Sequence, residues 1–279
     1  MALSIQSNMA SMSIQNQLSR SNDSLSTALE RLGSGFKINS AKDDAAGLQI
    51  ATRLNAQVKG QEASLYNSSN AMSMMQTAEG AFDEMTNIAY RLKELATQGA
   101  NGTNGTAEYT AINAEYAALE EELNSIMDNT SFGGTELLAA AGKFGAGQVD
   151  FQVGSSVNEV LAVDVSTEVG AVNTLLTTGL TGAGSAADST TSITEVDTLI
   201  ANIGAARSAL GASMNRLDHT MNNVTNMKEN TQAASSSLMD ADFAAETSNM
   251  TKQQLLMNSG ISVLSTANST TQMIGSLLN

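Results

Sequence analysis

Apolar residues recur at helical spacing over most of this chain. From Ile193 onward, Val196, Ile200, Ile203, Arg207, Leu210, Met214, Leu217, Met221 and Val224 follow in alternating steps of three and four, with one polar member. That rhythm turns one narrow stripe of a helix toward other helices. Tyr109, Ile112, Tyr116, Leu119, Leu123 and Ile126 keep the same steps, as do Ala78, Ala81, Met85, Ile88, Leu92 and Leu95. Three such stripes predict a bundle whose helices cover one another's apolar faces.

The two extremities carry the pattern more sparsely. Leu18, Leu25 and Leu32 stand seven apart, joined by Leu29 and Phe36. Phe243, Met250, Met257 and Leu264 do the same, joined by Ile261, Ile274 and Leu278. Helices with such polar flanks are marginal alone in water. The pattern therefore predicts that the N-terminal and C-terminal helices pair, and that their outer faces are buried by something further. Leu18, Leu25, Leu32, Met250, Met257 and Leu264 form the candidate assembly seam. Between 228 and 237 the seam positions become Lys228, Thr231 and Ser235, which predicts a joint between two bundles near Ala233–Ser237.

Only the middle departs from helix. Val149, Phe151 and Val153 alternate with polar residues, as do Leu161, Val163 and Val165, with Gly154-Ser155-Ser156 between them. A β-hairpin near 148–165 follows. Residues 166–192, rich in Thr, Ser, Ala and Gly, read as an exposed variable loop unable to enclose a core of its own. The fold class is thus mainly α: a long antiparallel helical bundle or coiled coil of N- and C-terminal segments with a small β-hairpin region in the middle. The expected division is 1–43 with 238–279, then 44–165 with 193–237, and the loop 166–192.

Composition narrows the chemistry. The chain has no Cys, no Pro, no Trp and one His. Disulfides, thiolate metal sites and cysteine nucleophiles are excluded together. His219, between the seam residues Leu217 and Met221, reads as a bundle-surface residue, and no multi-histidine metal site is available. Aromatic residues make up 4% of the chain, thin for a large globular core. This composition argues against a compact enzyme, and no cofactor or metal is expected. Proline, which costs about 3 kcal/mol inside a helix, is absent as long helices require.

Charge is uneven. The net charge is −15, with +2 over residues 1–60 and −17 over the remainder. Such acidity disfavours nucleic acid as a partner, because binding it requires a basic stripe that displaces counterions. No membrane partner is expected either: the longest apolar run is Leu137 to Ala141, against the roughly 20 residues that span a bilayer. A cleavable secretory leader is also missing, since no basic start or apolar block precedes Arg20.

Polar motifs mostly read as structure. In Asn39-Ser40-Ala41-Lys42-Asp43-Asp44, Ser40 or Asp43 is expected to cap the following helix. Asp240-Ala241-Asp242 with Glu246 lacks calcium-loop spacing and reads as the acidic start of the last helix. Arg207 within the seam either meets an acid that fixes register or extends its stem to water. Gly145-Ala146-Gly147 and Gly142-Lys143 lack the rest of a phosphate-binding motif.

The ends carry longer and more specific motifs. The run from Leu29-Glu30-Arg31-Leu32-Gly33-Ser34-Gly35-Phe36 through Asn39-Ser40-Ala41-Lys42-Asp43-Asp44-Ala45-Ala46-Gly47-Leu48 closely resembles the N-terminal signature of bacterial flagellins. Ala209-Leu210-Gly211-Ala212-Ser213-Met214-Asn215-Arg216-Leu217 resembles their C-terminal counterpart. So do Asp240-Ala241-Asp242-Phe243-Ala244, Gln253-Gln254-Leu255-Leu256 and the ending Ser276-Leu277-Leu278. The resemblance covers roughly residues 1–165 and 190–279.

It implies a structural subunit that self-assembles into the flagellar filament for swimming motility. The terminal segments would form an inner tube, the 44–165 and 193–237 segments an outer tube, and the middle would face water. It also implies export through the flagellar type III apparatus, terminal segments that order on assembly, and partners among hook-junction and cap proteins and an export chaperone. Tyr90-Arg91-Leu92-Lys93-Glu94-Leu95-Ala96 resembles the segment bound by vertebrate Toll-like receptor 5, which implies contacts by Arg91, Leu95 and Glu115. Ser185, Ser189 and Thr190 are candidate O-glycosylation sites in the 166–192 loop. This chain departs from many relatives in having Ser237 and Met239 where they carry Arg and Glu. A hook–filament junction protein resembling the same family is the alternative. An unrelated coiled-coil regulator would instead form a dimer of fixed size.

Overall fold

The computed structural model describes residues 8–277, excepting the side chains of 271, 272 and 274–277. Of the expected terminal stripe, Leu278 and the side chain of Ile274 lie outside the described residues. The described residues form six helices: α1 (Met9–Ser34), α2 (Ala45–Gly99), α3 (Thr106–Asn129), α4 (Ser166–Thr178), α5 (Ala186–Met239) and α6 (Phe243–Leu277). Between α3 and α4 lie two antiparallel pairs, β1 (Ser131–Phe132) with β2 (Thr135–Glu136), and β3 (Val149–Gln152) with β4 (Val160–Val163). The fold is mainly α, as the periodicity predicts.

Short polar side chains close the helix ends. Asn8 Oδ1 accepts the Ser11 N–H at the start of α1, and Gly35 ends that helix in the left-handed conformation with its N–H on the Arg31 carbonyl. Asp44, rather than Ser40 or Asp43, caps α2: its Oδ1 accepts the N–H groups of Ala46 and Gly47. Asp43 instead closes the preceding turn, accepting from the Asn39 and Ser40 backbones and the Ser40 hydroxyl. These donors hold its carboxyl below the usual range. Asp242 caps α6 through the N–H groups of Ala244 and Ala245.

The chain divides into two compact units, Met1–Ala56 with Asn230–Asn279, and Gln57–Glu229. The second holds the core. Met75, Phe82, Met85, Leu92 and Leu95 of α2 meet Tyr116 and Leu123 of α3, and Val196, Leu199, Ile203, Leu210 and Leu217 of α5, in one buried cluster. All three predicted stripes contribute to it. The hairpin β3–β4 pairs Val149 with Val163 and Phe151 with Leu161, and the same cluster takes in Leu161 and Val163. The smaller pair β1–β2 turns through Gly133 and Gly134, at φ of 60° and 81°. Two successive positive φ values define a tight hairpin turn that glycine enters without steric cost.

One expectation is corrected. Residues 166–192 are not an exposed loop: α4 buries Val169, Val172 and Leu176, and Leu180 and Ala183 behind it are buried too. The apolar residues at helical spacing outweigh the Thr, Ser and Gly between them. Further ties hold this segment down. The Asn173 amide donates to the Leu138 carbonyl at 2.7 Å, Glu120 accepts the Leu180 N–H at 2.8 Å, and Glu195 accepts the Thr181 N–H at 2.6 Å. The joint expected near Ala233–Ser237 lies within a few residues of the division between the compact units at Glu229/Asn230, and α5 runs through it unbroken to Met239. There Ser235 is buried and donates to Asn55 Oδ1 at 2.9 Å, so a polar contact replaces the apolar one.

Candidate assembly surface

In the first unit, α1 and α6 pack antiparallel. Ser11, Ile14, Leu18, Ser21, Leu25, Ala28 and Leu32 line one face of α1 in steps of three and four, and each is buried or half-buried. On α6, Glu246, Met250, Gln253, Met257, Gly260, Leu264 and Ala267 keep the same rhythm and are all half-buried. Gly260 lets the helices approach: a Cβ there would stand 2.9 Å from the Leu18 side chain. Polar contacts fix the register. Arg31 pairs with Glu246 at 3.0 Å, the Asn8 amide donates to the Ala267 carbonyl at 3.2 Å, and the Ser11 hydroxyl donates to Asn268 Oδ1 at 3.0 Å. Beyond α1 the backbones join, with the Lys37 N–H on the Met239 carbonyl and the Ala241 N–H on the Gly35 carbonyl.

This arrangement changes the meaning of the predicted seam. Leu18, Leu25, Leu32, Met250, Met257 and Leu264 lie on the faces that the two helices of the same chain turn toward each other, and each is half-buried there. The apolar residues turned outward are a different set. Met9, Met12 and Leu29 on α1, and Phe243, Leu255, Leu256, Ile261, Val263 and Met273 on α6, are each at least 45% exposed. Among the described residues of this unit, only Ala28, Ile38 and Ala51 are buried apolar side chains. The first unit thus displays its apolar surface while the second encloses its own. A shallow apolar groove runs between Ile14 and Leu18 on α1 and Leu256, Gly260 and Val263 on α6. Phe243, Ile261 and Leu29, expected on the same stripes as the seam residues, face outward instead, whereas Leu255, Leu256 and Val263 lie off the expected stripe.

The other predicted residues lie in the second unit. Arg91 and Glu115 are exposed and ion-paired, Nε and Nη2 of Arg91 donating to Glu115 Oε1 at 2.9 and 2.7 Å. Glu94 takes Nη1 at 2.6 Å, and both acids hold the guanidinium in its charged form. Leu95 is corrected: it is 1% exposed and belongs to the core, so it offers no surface to a receptor. Ser189 is corrected as well. It is fully buried, its hydroxyl donating to the Ser185 carbonyl at 2.7 Å. Ser185 is half-buried and accepts the Asp188 N–H at the start of α5, whereas Thr190 is exposed. His219 is exposed, as read from the sequence.

A sealed core in one unit and an apolar-sided helix pair in the other define a helical building block for a larger assembly. Residues 5–143 match the bacterial flagellin N-terminal helical region, and residues 193–278 match the bacterial flagellin C-terminal helical region. The chain belongs to the bacterial flagellins. It is 38% identical to the flagellin of Listeria monocytogenes, over 99% of this chain and all of that protein. Flagellin A of Vibrio anguillarum is 31% identical over 96% of this chain and 97% of its own length. The crystal structure of Bacillus cereus flagellin, 32% identical, superposes with a TM-score of 0.50 over 61% of this chain and 94% of that one. The protein is a self-polymerising structural subunit of the flagellar filament, an extracellular organelle, and not an enzyme. A structure described as a flagellar hook-associated protein, from Vibrio parahaemolyticus, shares the fold at a TM-score of 0.57 and 14% identity, while the family models and the flagellin relatives favour the filament subunit over the junction reading. Among the described residues, no helix is long and apolar enough to cross a membrane.

Proposed function

We propose that the outer faces of α1 and α6 are the surfaces through which successive subunits bury one another in the filament, with the heptad seam holding each helix pair together. One observation carries this reading: the large apolar side chains of α6 at Leu255, Leu256, Ile261 and Val263 are all 45–63% exposed. Fully burying a Leu, Ile or Val is worth about 1.5–3 kcal/mol. Covering the exposed half of these four is therefore worth about 3–6 kcal/mol, which goes toward the roughly 4–15 kcal/mol that immobilising a subunit costs. A surface of this kind on one copy, met by a different surface on the next, grows without closing and yields a helical polymer.

The test separates the two faces. Leu255→Glu leaves the monomer within about 0.5 kcal/mol of its native stability, because a 63% exposed side chain loses little. The same substitution stops elongation from filament seeds. Met257→Ala acts the other way, loosening the α1–α6 pair in the monomer itself. Elongation of Leu255→Glu at the native rate overturns the assignment.

The same reading extends to the chain's route and partners. Export occurs through the flagellar type III apparatus with the chain unfolded; the absence of Cys and Pro supports this, since neither disulfide exchange nor slow prolyl isomerisation then delays refolding. An export chaperone and the hook-junction and cap proteins are the expected partners. A contact with Toll-like receptor 5 falls to Arg91 and Glu115, with the buried Leu95 supporting them from beneath. Thr190 is the remaining exposed hydroxyl of the three candidates for O-glycosylation.

A further inference from the structure

The loop joining α2 to α3 contains two asparagine–glycine pairs three residues apart, Asn101-Gly102 and Asn104-Gly105, and their environments differ. Asn101 is exposed, and its Oδ1 accepts the Thr103 N–H at 3.2 Å. Gly102 has nothing within 4 Å of a Cβ position, and its N–H donates to no acceptor among the described residues. Asn104 is half-buried, and its amide nitrogen is tied to the Gln98 carbonyl at 2.8 Å. The Gly105 N–H is tied to Glu108 Oε2 at 3.0 Å.

We infer that Asn101 is a site of spontaneous deamidation and that Asn104, in an otherwise matching sequence, is protected by the fold. The backbone nitrogen of Gly102, having lost its proton to hydroxide, attacks Cγ of Asn101. The N–Cγ bond forms, the Cγ–Nδ2 bond breaks, and ammonia leaves with a proton from water. The resulting five-membered imide adds one water at either carbonyl, giving aspartate or isoaspartate. No electron is transferred, and water is the only co-reactant. Glycine matters because no side chain hinders the attacking nitrogen, and the Thr103 N–H polarises the carbonyl under attack, as donors do wherever charge develops on oxygen. At Asn104 two hydrogen bonds must break first. Moreover, the Glu108 carboxylate disfavours the anionic nitrogen that attack requires.

The product adds a negative charge to an exposed loop of a chain already at −15. In isoaspartate the extra backbone carbon also displaces the Asn101 carbonyl from the Tyr109 hydroxyl that donates to it at 3.3 Å.

The experiment is incubation of the full chain in mildly alkaline buffer, followed by peptide mass mapping that resolves the two asparagines. In the folded chain Asn101 gains one mass unit about tenfold faster than Asn104 or more, a factor of ten in rate matching about 1.4 kcal/mol of barrier. In urea the two rates converge. Gly102→Ala, at a position with room for a methyl group, slows Asn101 alone, and Glu108→Ala speeds Asn104. Equal rates in the folded chain, or an Asn101 that stays intact there while both react in urea, overturn the inference.

Discussion

Arg207 on α5 donates through Nη2 to Glu79 on α2 at 2.8 Å, and its Nη1 lies 3.0 Å from Asp83, one turn further along the same helix. It is the polar member of an otherwise apolar stripe, and two acids meet it. The Glu79 hydrogen bond, more than the charges of Glu79 and Asp83, holds the guanidinium charged. About a third of each of Arg207 and Glu79 remains exposed, and more than half of Asp83. The attraction is therefore screened, and its worth is alignment of α2 with α5 more than stability. Arg207→Met, which keeps the aliphatic stem, is expected to cost about 1 kcal/mol or less, and Arg207→Ala more, because packing is lost as well. Urea midpoints measured at low and high salt check this. The gap between native and Met variant narrows with salt, and a Met variant less stable than the Ala variant contradicts the assignment.

Gly80 offers the opposite case. It sits on the exposed side of α2, with nothing within 4 Å of a Cβ position. Gly80→Ala should therefore stabilise the chain by about 0.5–1 kcal/mol, through helix propensity alone. Gly60, where a Cβ would meet that of Ser155 at 2.7 Å, should lose stability on the same change. Thermal melts of the two variants are expected to shift in opposite directions.

Tyr116 makes stability fall at high pH. Burial pushes its phenol from the ordinary 10.0 up to about 12, with the Ser192 side chain acting in the other direction and the charges of Glu120 and Glu195 adding to the rise. The unfolded chain thus releases this proton near pH 10 while the folded chain retains it. Stability from this group is fully present below pH 10 and is lost as pH rises toward 12. Two pKa units correspond to about 2–3 kcal/mol. In Tyr116→Phe this part of the pH dependence should vanish, so the native chain loses stability relative to the variant between pH 10 and 12. Parallel profiles across that range would contradict the burial argument.

Within the isolated subunit, protection of backbone amides should follow burial. Amides of residues 71–96, on the sealed α2 core, are expected to exchange far more slowly than those of 9–34 and 243–270, which hold few fully buried side chains. Polymerisation should raise protection in the terminal segments and leave 71–96 nearly unchanged. Since neighbouring copies each carry −15, low ionic strength should also slow elongation, and seeded growth across a salt series reads that directly.

Much of this architecture was legible because helices announce themselves locally. The stripes ending at Leu95, Ile126 and Val224 lie where their three-and-four spacing places them, and the hairpin register Phe151–Leu161 follows the alternation read from sequence. Composition misleads where it conflicts with spacing. Val169, Val172 and Leu176 carry a helical period through a Thr- and Gly-rich segment, and the Gly133-Gly134 turn stood as an unread hairpin signal.

Sequence alone thus determined which positions are apolar and at what period, and with them most of the helices, the acidic start of the last helix at Asp242, and the family signatures at both ends. Tertiary structure decided what each apolar position meets. A heptad says that one face of a helix seeks cover, but whether that cover is the chain's own opposite helix or a neighbouring molecule depends on contacts between residues more than two hundred positions apart. That is why Leu18 proved to be sheltered beside Gly260, why Leu255 and Ile261 proved to be exposed, and why Leu95 sank into the core while Arg91 stayed at the surface.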